Sequence, residues 1–412
     1  AETIRLRDQN NNHERYGTFG TYKNVLATES FRPSGWAAAF DSYPEDQKIA
    51  YSNDERISYG GLFTQLEYAT DNMSAFFQGS VSNQSHQRFD FFQYADQALI
   101  DGSSSQGTDE PIPAGITPGT DSEKVDNLGY NAKAGLSYKV SEAHAFYVNT
   151  GYYNRQPYHD NIYLNFTNQV NPLTENEKIF GLEAGYGFKS SIFSANVNLY
   201  RTSWKDRVVS SSNIVDDVLQ FTTNFGTEQL HSGVEVDFKL RPIADLSING
   251  QFSVGDWEYK GDATTQVADE DRNIISFETV DYDGGKVGGA AQLSGGLGFA
   301  YKINQKFSID SDWRYYDNLY SDVGAVKENL KLPSYNLLDA GITFRVPLGA
   351  DKLKQLKIRG NINNLLDTEY LSTLTTANFA EAGDELYKGI AVSNQGYFGW
   401  GRTWNVTLRY EF

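Results

Sequence analysis

The sequence predicts an all-β fold, a transmembrane antiparallel up-and-down β-barrel, from three observations. Apolar and polar residues alternate along most of the chain, which is typical of strands whose two faces meet different surroundings. Short turns alternate with long polar links between these strands, as they do in outer-membrane barrels. The last strand ends on an aromatic residue, Phe412, with no polar tail behind it.

The composition excludes several other classes of protein. Only 39% of the 412 residues are hydrophobic, and no run approaches the roughly 20 apolar residues that a membrane helix needs. The net charge of -18 excludes a general affinity for nucleic acid or for anionic lipid headgroups. Because cysteine is absent, neither disulfides nor thiolate metal sites can form. The 27 tyrosines and 6 tryptophans suit the aromatic girdles of a barrel.

The alternation is clearest in the last eleven residues. One parity is wholly apolar from Trp404 to Phe412, and the other is wholly polar. A single strand of this kind would also fit a soluble sheet, but about a dozen such strands, each near the roughly 10 residues that cross a bilayer, favour a membrane barrel. Further alternating segments are residues 133–140, 180–189, 193–199, 234–241, 246–254, 338–346 and 356–363.

The connections between the strands alternate in length. This alternation predicts that the long links are extracellular and that the carboxy terminus is periplasmic, in a bacterial outer membrane. The short turns are residues 69–73, 140–143, 189–191, 242–245, 303–306 and 347–354. The long links are residues 24–55, 93–126, 157–176, 205–228, 259–286, 322–333 and 372–399.

About fourteen strands can be counted, with residues 3–7 as a further candidate. Fourteen is an even number, so an intact fourteen-stranded pore is one structural interpretation. The first fifty residues lack clean alternation, and for this reason we expect the chain to begin partway through a larger barrel. That interpretation places the first strands, and the partner of the last strand, upstream of Ala1.

Six motifs occur in the order in which TonB-dependent outer-membrane receptors carry them, and together they resemble the carboxy-terminal half of that family. They extend over residues 127–412, and each of them alone is weak. The motifs are residues 149–157 (NTGYYNRQP), 171–178 (NPLTENEK) with the strand that follows, 200–206 (YRTSWKD), 224–228 paired with 233–237 (GVEVD), 361–370 (NINNLLDTEY) and the closing strand 399–412.

The resemblance implies a twenty-two-stranded barrel filled by an amino-terminal plug, of which this chain is the carboxy-terminal portion without the plug and about eight strands. It implies TonB-dependent active transport of a scarce solute, such as siderophore-iron or a glycan, bound at the extracellular side. The implied partners are outer-membrane lipid, the energy-coupling TonB complex acting through the plug, the solute, and a surface lipoprotein. Two alternatives are a passive pore or surface-binding barrel without energy coupling, and a soluble glycan-binding β protein.

Candidate ligand-binding residues lie where strands pass into long links. The first group is Tyr152, Tyr153, Arg155, Tyr158 and His159, and the second is Tyr315, Tyr316 and Tyr320. Aromatic rings there would stack on a sugar or a catecholate, and the guanidinium of Arg155 would bind an anionic group. The alternative is that these rings form the upper aromatic girdle of the barrel.

Evidence for catalysis, cofactors or metals is slight. None of the five histidines has a nucleophile at a familiar spacing, and the Gly-x-Ser-x-Gly motif is absent, so an enzyme is not predicted. Asp281 and Asp283 resemble part of a calcium loop that lacks the downstream bidentate Glu, and a solvated acidic loop is the favoured interpretation. Trp404, Tyr410 and Phe412 match the aromatic strand end that the family resemblance identifies as a barrel-assembly signal.

Overall fold

The computed structural model describes residues 2–5, 24–27, 35–36, 40, 53–90, 122–163, 170–215, 218–269, 274–348 and 354–412. Strands dominate these residues, and the one α-helix among them, α1 (His159–Ile162), is a single turn. None of the described helices is long and apolar enough to cross a membrane. The prediction of an all-β fold is confirmed.

Most strands belong to one antiparallel sheet of fifteen. Thirteen of them form a meander in which each strand pairs with its neighbour along the path, and a short hairpin branches from this path. This up-and-down order confirms the predicted topology, with a strand count close to the expected fourteen. The meander strands are β3 (Asn53–Ala69), β4 (Met73–Asp90), β5 (Val125–Lys139), β6 (His144–Arg155), β7 (Glu177–Lys189), β8 (Phe193–Val215), β9 (Val218–Ile243), β10 (Leu246–Lys260), β13 (Leu293–Lys302), β14 (Phe307–Asp317), β15 (Tyr335–Leu348), β16 (Lys354–Asn363) and β21 (Thr403–Glu411).

The remaining strands are short. The branch hairpin is β11 (Asp262–Ala268) and β12 (Ile274–Asp281). The candidate strand over residues 3–7 corresponds to β1 (Glu2–Arg5), which pairs with β2 (Asn24–Ala27) outside the main sheet. Two small pairs lie between β16 and β21: β17 (Leu371–Leu374) with β20 (Gly396–Phe398), and β18 (Leu386–Tyr387) with β19 (Ile390–Ala391).

The register places apolar side chains opposite apolar side chains on one face of the sheet, the apolar face. Phe146 of β6 lies opposite Tyr186 of β7, and Leu356 of β16 lies opposite Tyr410 of β21. Leu408 on this face is 68% exposed. An exposed apolar surface that recurs on strand after strand exceeds what soluble monomers show, whereas it suits contact with lipid.

The opposite face, the polar face, is held by hydrogen bonds and ion pairs between strands. Both terminal nitrogens of Arg359 donate to the carboxylate of Asp310, at 2.6 and 2.7 Å. The Tyr147 hydroxyl donates to Asn198 at 3.0 Å. Because these polar groups find partners within the sheet, they are satisfied even where the face lines an enclosed space.

The sheet has a turn end and a loop end. The six predicted short turns all fall between the expected strand pairs, and antiparallel alternation brings them to the same end. The last of them, over 349–353, lies outside the described residues. The long connections fall at the opposite, loop end. Of the predicted long links, 24–55 and 93–126 lie largely outside the described residues.

Two of the predicted loops are wrong, because the sheet continues through them. A polar link was expected over 205–228. Instead, β8 and β9 continue beyond the length that crosses a membrane and form a hairpin that reaches Val215 and Val218. The link expected over 259–286 contains β11 and β12, and β11 pairs with the extension of β9. These segments are rich in Val, Ile, Thr and Phe, residues that favour extended backbone even where the sequence around them is polar.

The β14–β15 and β16–β21 connections at the loop end are folded around small apolar cores. The β14–β15 and β16–β21 connections share a buried cluster that includes Leu319, Leu332 and Leu374. Tyr259 and Tyr282 belong to a second cluster, which joins the branch hairpin to the β14–β15 connection. Packing of this kind fixes these two connections and the branch hairpin against one another.

Candidate functional site

Three aromatic rings stack in a row on the polar face, toward the loop end of β8, β9 and β10. His231 lies directly opposite Trp257, with ring centroids 5.3 Å apart and planes 14° apart. Trp204 stacks on the other side of His231, with a centroid distance of 6.5 Å and an angle of 22°. We call Trp204, His231 and Trp257 the aromatic ladder.

The aromatic ladder stands well above the turn end. Trp257 follows the start of β10 at Leu246 by eleven residues. At roughly 3.3 Å per residue and a tilt of about 45°, this separation corresponds to a height of about 25 Å. That height matches the outer edge of the apolar band of a membrane barrel.

Two guanidinium groups flank the ladder. Arg207 lies over the ring of Trp204 at 5.0 Å from its centroid, and Arg155 approaches the same ring at 6.0 Å. Both arginines also face the buried carboxylate of Glu177, with Arg155 donating to it at 2.6 Å and Arg207 at 3.9 Å from it. The carboxylate of Glu177 holds Arg155 beside the rings, and Arg207 is held by a hydrogen bond that it donates to the Gln229 side chain at 2.5 Å.

The chemistry offered by this arrangement is stacking beside fixed hydrogen-bond donors. Indole and imidazole faces attract flat or CH-rich ligand surfaces, and guanidinium donors select anionic oxygens. The indole N–H of Trp257 is already used, because it donates to the hydroxyl of Tyr200 at 2.9 Å. The ring of Trp257 is therefore fixed in position before any ligand arrives.

The first group of predicted ligand residues is divided between the two faces of the sheet. Arg155 and Tyr153 lie on the polar face, and Arg155 contacts the aromatic ladder as described. Tyr152 lies on the apolar face instead, 6.2 Å from the ring of Tyr130, where an aromatic girdle is expected. Tyr158 adjoins Arg155, whose guanidinium donates to its hydroxyl at 3.1 Å.

The second predicted group is divided in the same way. Tyr316 lies on the polar face and joins Tyr335 and Tyr370 in a row, with centroid distances of 5.1 and 4.2 Å. Tyr315 lies on the apolar face and stacks on Trp313 at 6.3 Å. Tyr320 lies in the β14–β15 connection, where its backbone bridges to Lys331.

The ladder residues were not among those predicted from the sequence. Trp204 and Trp257 fall on the polar parity of their strands, and an aromatic residue at such a position is a signal that strand alternation alone could have given. Their contact through His231 could not be predicted, because it depends on the register in which β9 pairs with β8 and with β10. The sequence therefore indicates the two tryptophans but not their contact through His231.

His159 lies apart from the ladder and contacts a second histidine. The Nδ1 atoms of His86 and His159 are 3.1 Å apart, and both side chains are buried. Burial lowers the pKa of His86, and the neighbouring His159 lowers it further. Burial also lowers the pKa of His159; Glu55 and Asp160 oppose this effect, and Arg88 adds to it. Both shifts favour the neutral form of the imidazole.

The acidic segment around Asp281 and Asp283 is bound by a lysine. The Lys327 ammonium lies 2.8 Å from the Asp281 carboxylate and also donates to the backbone carbonyl of Asp283 at 2.6 Å. The hydrogen bond from Lys327 holds the pKa of Asp281 below its usual value. Across the described residues, no three or more His, Asp or Glu side chains are grouped to hold a metal ion. The calcium site remains a prediction.

The carboxy-terminal strand has the predicted faces. Trp404 and Tyr410 lie on the apolar face of β21, opposite Ile362 and Leu356. The ring of Phe412 stacks on that of Tyr410 at 6.0 Å and is 93% exposed. β21 pairs with β16 on one side and forms one edge of the described sheet, whose other edge is β3. The role of these residues in assembly remains a prediction.

Comparison with known proteins gives a match over most of the chain. A family model described as "TonB dependent receptor-like, beta-barrel" matches residues 3–365. Three similar solved structures are the copper transporter OprC (14% identity, 91% of this chain and 50% of that chain, TM-score 0.60), the siderophore receptor PiuA from Acinetobacter baumannii (15%, 87% and 44%, 0.60) and the ferric yersiniabactin uptake receptor FyuA from Yersinia pestis (15%, 88% and 47%, 0.59). The chain spans about half the length of these proteins, and similarity at this identity shows a shared fold.

Proposed function

Because the chain belongs to the TonB-dependent receptor β-barrel family, we propose that it is part of an outer-membrane transporter for a scarce solute bound at the extracellular side. In this proposal the apolar face contacts lipid, the polar face lines the barrel interior, and the loop end is extracellular. The carboxy terminus, at the turn end, is then periplasmic. The protein acts as a transporter and receptor and is not an enzyme.

The observation that carries the proposal is the aromatic ladder. It lies on the face that would line the interior, near the outer edge of the membrane, where an incoming solute would first meet the barrel wall. Siderophore-iron complexes and glycans both present ring surfaces that stack on indole, and many carry oxygens that a guanidinium binds. OprC, PiuA and FyuA are described as a copper transporter, a siderophore receptor and a ferric yersiniabactin uptake receptor, and they support the general class of solute uptake.

Energy coupling completes the proposed mechanism. A solute held at the loop end has to pass a plug, and we propose that the inner-membrane energy-coupling complex rearranges that plug. The polar face would form the seat of the plug, because its carboxylates and arginines are fixed by partners within the sheet, as Arg359 is by Asp310. Loss of uptake in cells that lack the energy-coupling complex is expected; unchanged uptake would indicate a passive pore instead.

The binding site is tested with purified protein in detergent. Binding of a panel of ferric siderophores and oligosaccharides would be measured by isothermal titration calorimetry, and growth of a deletion strain on the same compounds would identify the relevant one. In the double variant Trp204→Ala/Trp257→Ala, the loss of about 1 kcal/mol per ring predicts roughly 25-fold weaker binding.

The matched control is Trp313→Ala. Trp313 is a tryptophan of the same sheet, but it lies on the apolar face, so its removal is expected to leave the affinity unchanged. Normal affinity in the double ladder variant, or equal losses in the control, would show that the ladder is not the binding site.

A further inference from the structure

The contact between His86 and His159 joins two parts of the chain that are distant in sequence. His86 lies on the polar face of β4 near its loop end, and His159 begins α1 in the connection between β6 and β7. The two side chains are 0% and 8% exposed. Tyr163 supports the same junction, because its ring packs on His159 and its hydroxyl donates to the backbone carbonyl of His86 at 3.0 Å.

The distance between the two Nδ1 atoms matches the separation of two imidazole nitrogens that bind the same metal ion. Two imidazole nitrogens bound to one ion at about 2.05 Å lie about 2.9 Å apart at a right angle and about 3.35 Å apart at the tetrahedral angle. The observed 3.1 Å falls between these values. The separation of the two ring nitrogens therefore suits a shared ion, which they would reach when both rings turn their Nδ1 lone pairs off the line that joins them.

From this geometry we propose that His86 and His159 form a binding site for a divalent transition-metal ion of the zinc, copper or nickel class. Imidazole nitrogen is a preferred ligand for these ions. The two histidines supply fewer than three protein ligands, so water molecules would complete the coordination. The bound ion would fasten the connection after β6 to the end of β4.

The surroundings of His159 fit the role of a ligand. Its Nε2 atom, on the far side of the ring from His86, lies 3.6 Å from the carboxylate of Glu55. When Nδ1 binds a metal, the proton resides on Nε2, and a carboxylate there orients the ring and raises its basicity. A direct hydrogen bond between the rings requires a proton on one Nδ1, whereas a metal ion uses the lone pairs of both.

The charges near the site are mixed. Glu55 and Asp160 favour a cation beside His159, and Arg88 disfavours it.

The test uses the detergent-extracted protein and metal ions alone. Equilibrium dialysis with Zn²⁺, Cu²⁺ or Ni²⁺ should show one tightly bound equivalent. The electron paramagnetic resonance spectrum of the Cu²⁺ form should show coupling to two nitrogens. His86→Gln and His159→Gln should each weaken binding at least tenfold, and Glu55→Gln should weaken it by a smaller factor.

The control is His144→Gln, which removes a histidine at the turn end, where the ring contacts Tyr186. This variant should bind metal as the unchanged protein does. Circular dichroism of every variant would establish that the sheet is intact. If the double variant His86→Gln/His159→Gln keeps the tight equivalent, or if the unchanged protein binds none, the contact is a proton-sharing pair and the proposal is wrong.

Discussion

A single methyl group at Gly185 should destabilise the sheet, because Tyr147 occupies the space above that glycine. The two residues lie opposite each other on the polar face of β6 and β7. A Cβ built on Gly185 would overlap the far end of the Tyr147 ring. The ring would have to swing away and give up its hydrogen bond to Asn198.

The expected cost follows from these two losses. Overpacking costs roughly 1–3 kcal/mol where neighbours cannot move, and the lost hydrogen bond costs about 1 kcal/mol. Because the ring end can rotate toward the open side of the face, we expect the lower part of that range. Gly185→Ala should therefore lower the free energy of unfolding by about 1–2 kcal/mol.

The assay is urea unfolding in detergent micelles, followed by circular dichroism, with Gly181→Ala as the control. Gly181 lies on the same strand and the same face, but the nearest atom to its added Cβ is Thr202 Oγ1 at 3.8 Å. In a Tyr147→Ala background, Gly185→Ala should cost nothing further, because the overlapping ring is gone. Equal stabilities of the two alanine variants would refute the reasoning.

Three other predictions concern different parts of the molecule. Arg359→Met should destabilise the sheet by about 1 kcal/mol in the same assay, since it leaves the half-buried Asp310 carboxylate without its bidentate partner; Asp310→Asn in the same chain should recover part of the loss. Phe412→Ala should lower the fraction of folded barrel in outer-membrane extracts, whereas Leu408→Ala, on the same face, should not. A normal amount of folded Phe412→Ala protein would show that Phe412 is not needed for assembly. Acidification from pH 7.5 to 5.5 should lower the protection factors of the α1 amides, calculated with the intrinsic exchange rate at each pH, because the pKa of His159 is lowered in the folded state and stability is lost as pH falls through the unfolded value; His159→Gln should reduce that dependence.

The strands were predictable because each carries its own signal. Residues 180–189 and 338–346 alternate in the sequence and alternate between faces in the sheet. The loop end was less predictable. Polarity suggested loops over 205–228, but β-branched residues extend β8 and β9 through this segment, and the extension shows only in the pairing of β8 with β9 and of β9 with β11.

The site was predictable in part for the same reason. Arg155 could be identified from its position at a strand end. The alternation of side chains along the strand also places Tyr153 and Tyr152 on opposite faces. The stack of Trp204 on His231 is a diagonal contact set by the β8–β9 register, and the contact of His86 with His159 joins residues 73 positions apart. Contacts of this kind depend on the whole sheet and leave no local pattern.

The direction of the two edge strands limits how the barrel can close. The meander has thirteen strands, each antiparallel to the next, so its first strand, β3, and its last, β21, run the same way. Paired directly, they would form a parallel seam in an antiparallel wall. An antiparallel closure therefore requires an odd number of further strands between β21 and β3, whichever residues supply them. A twenty-two-stranded barrel meets this condition with nine.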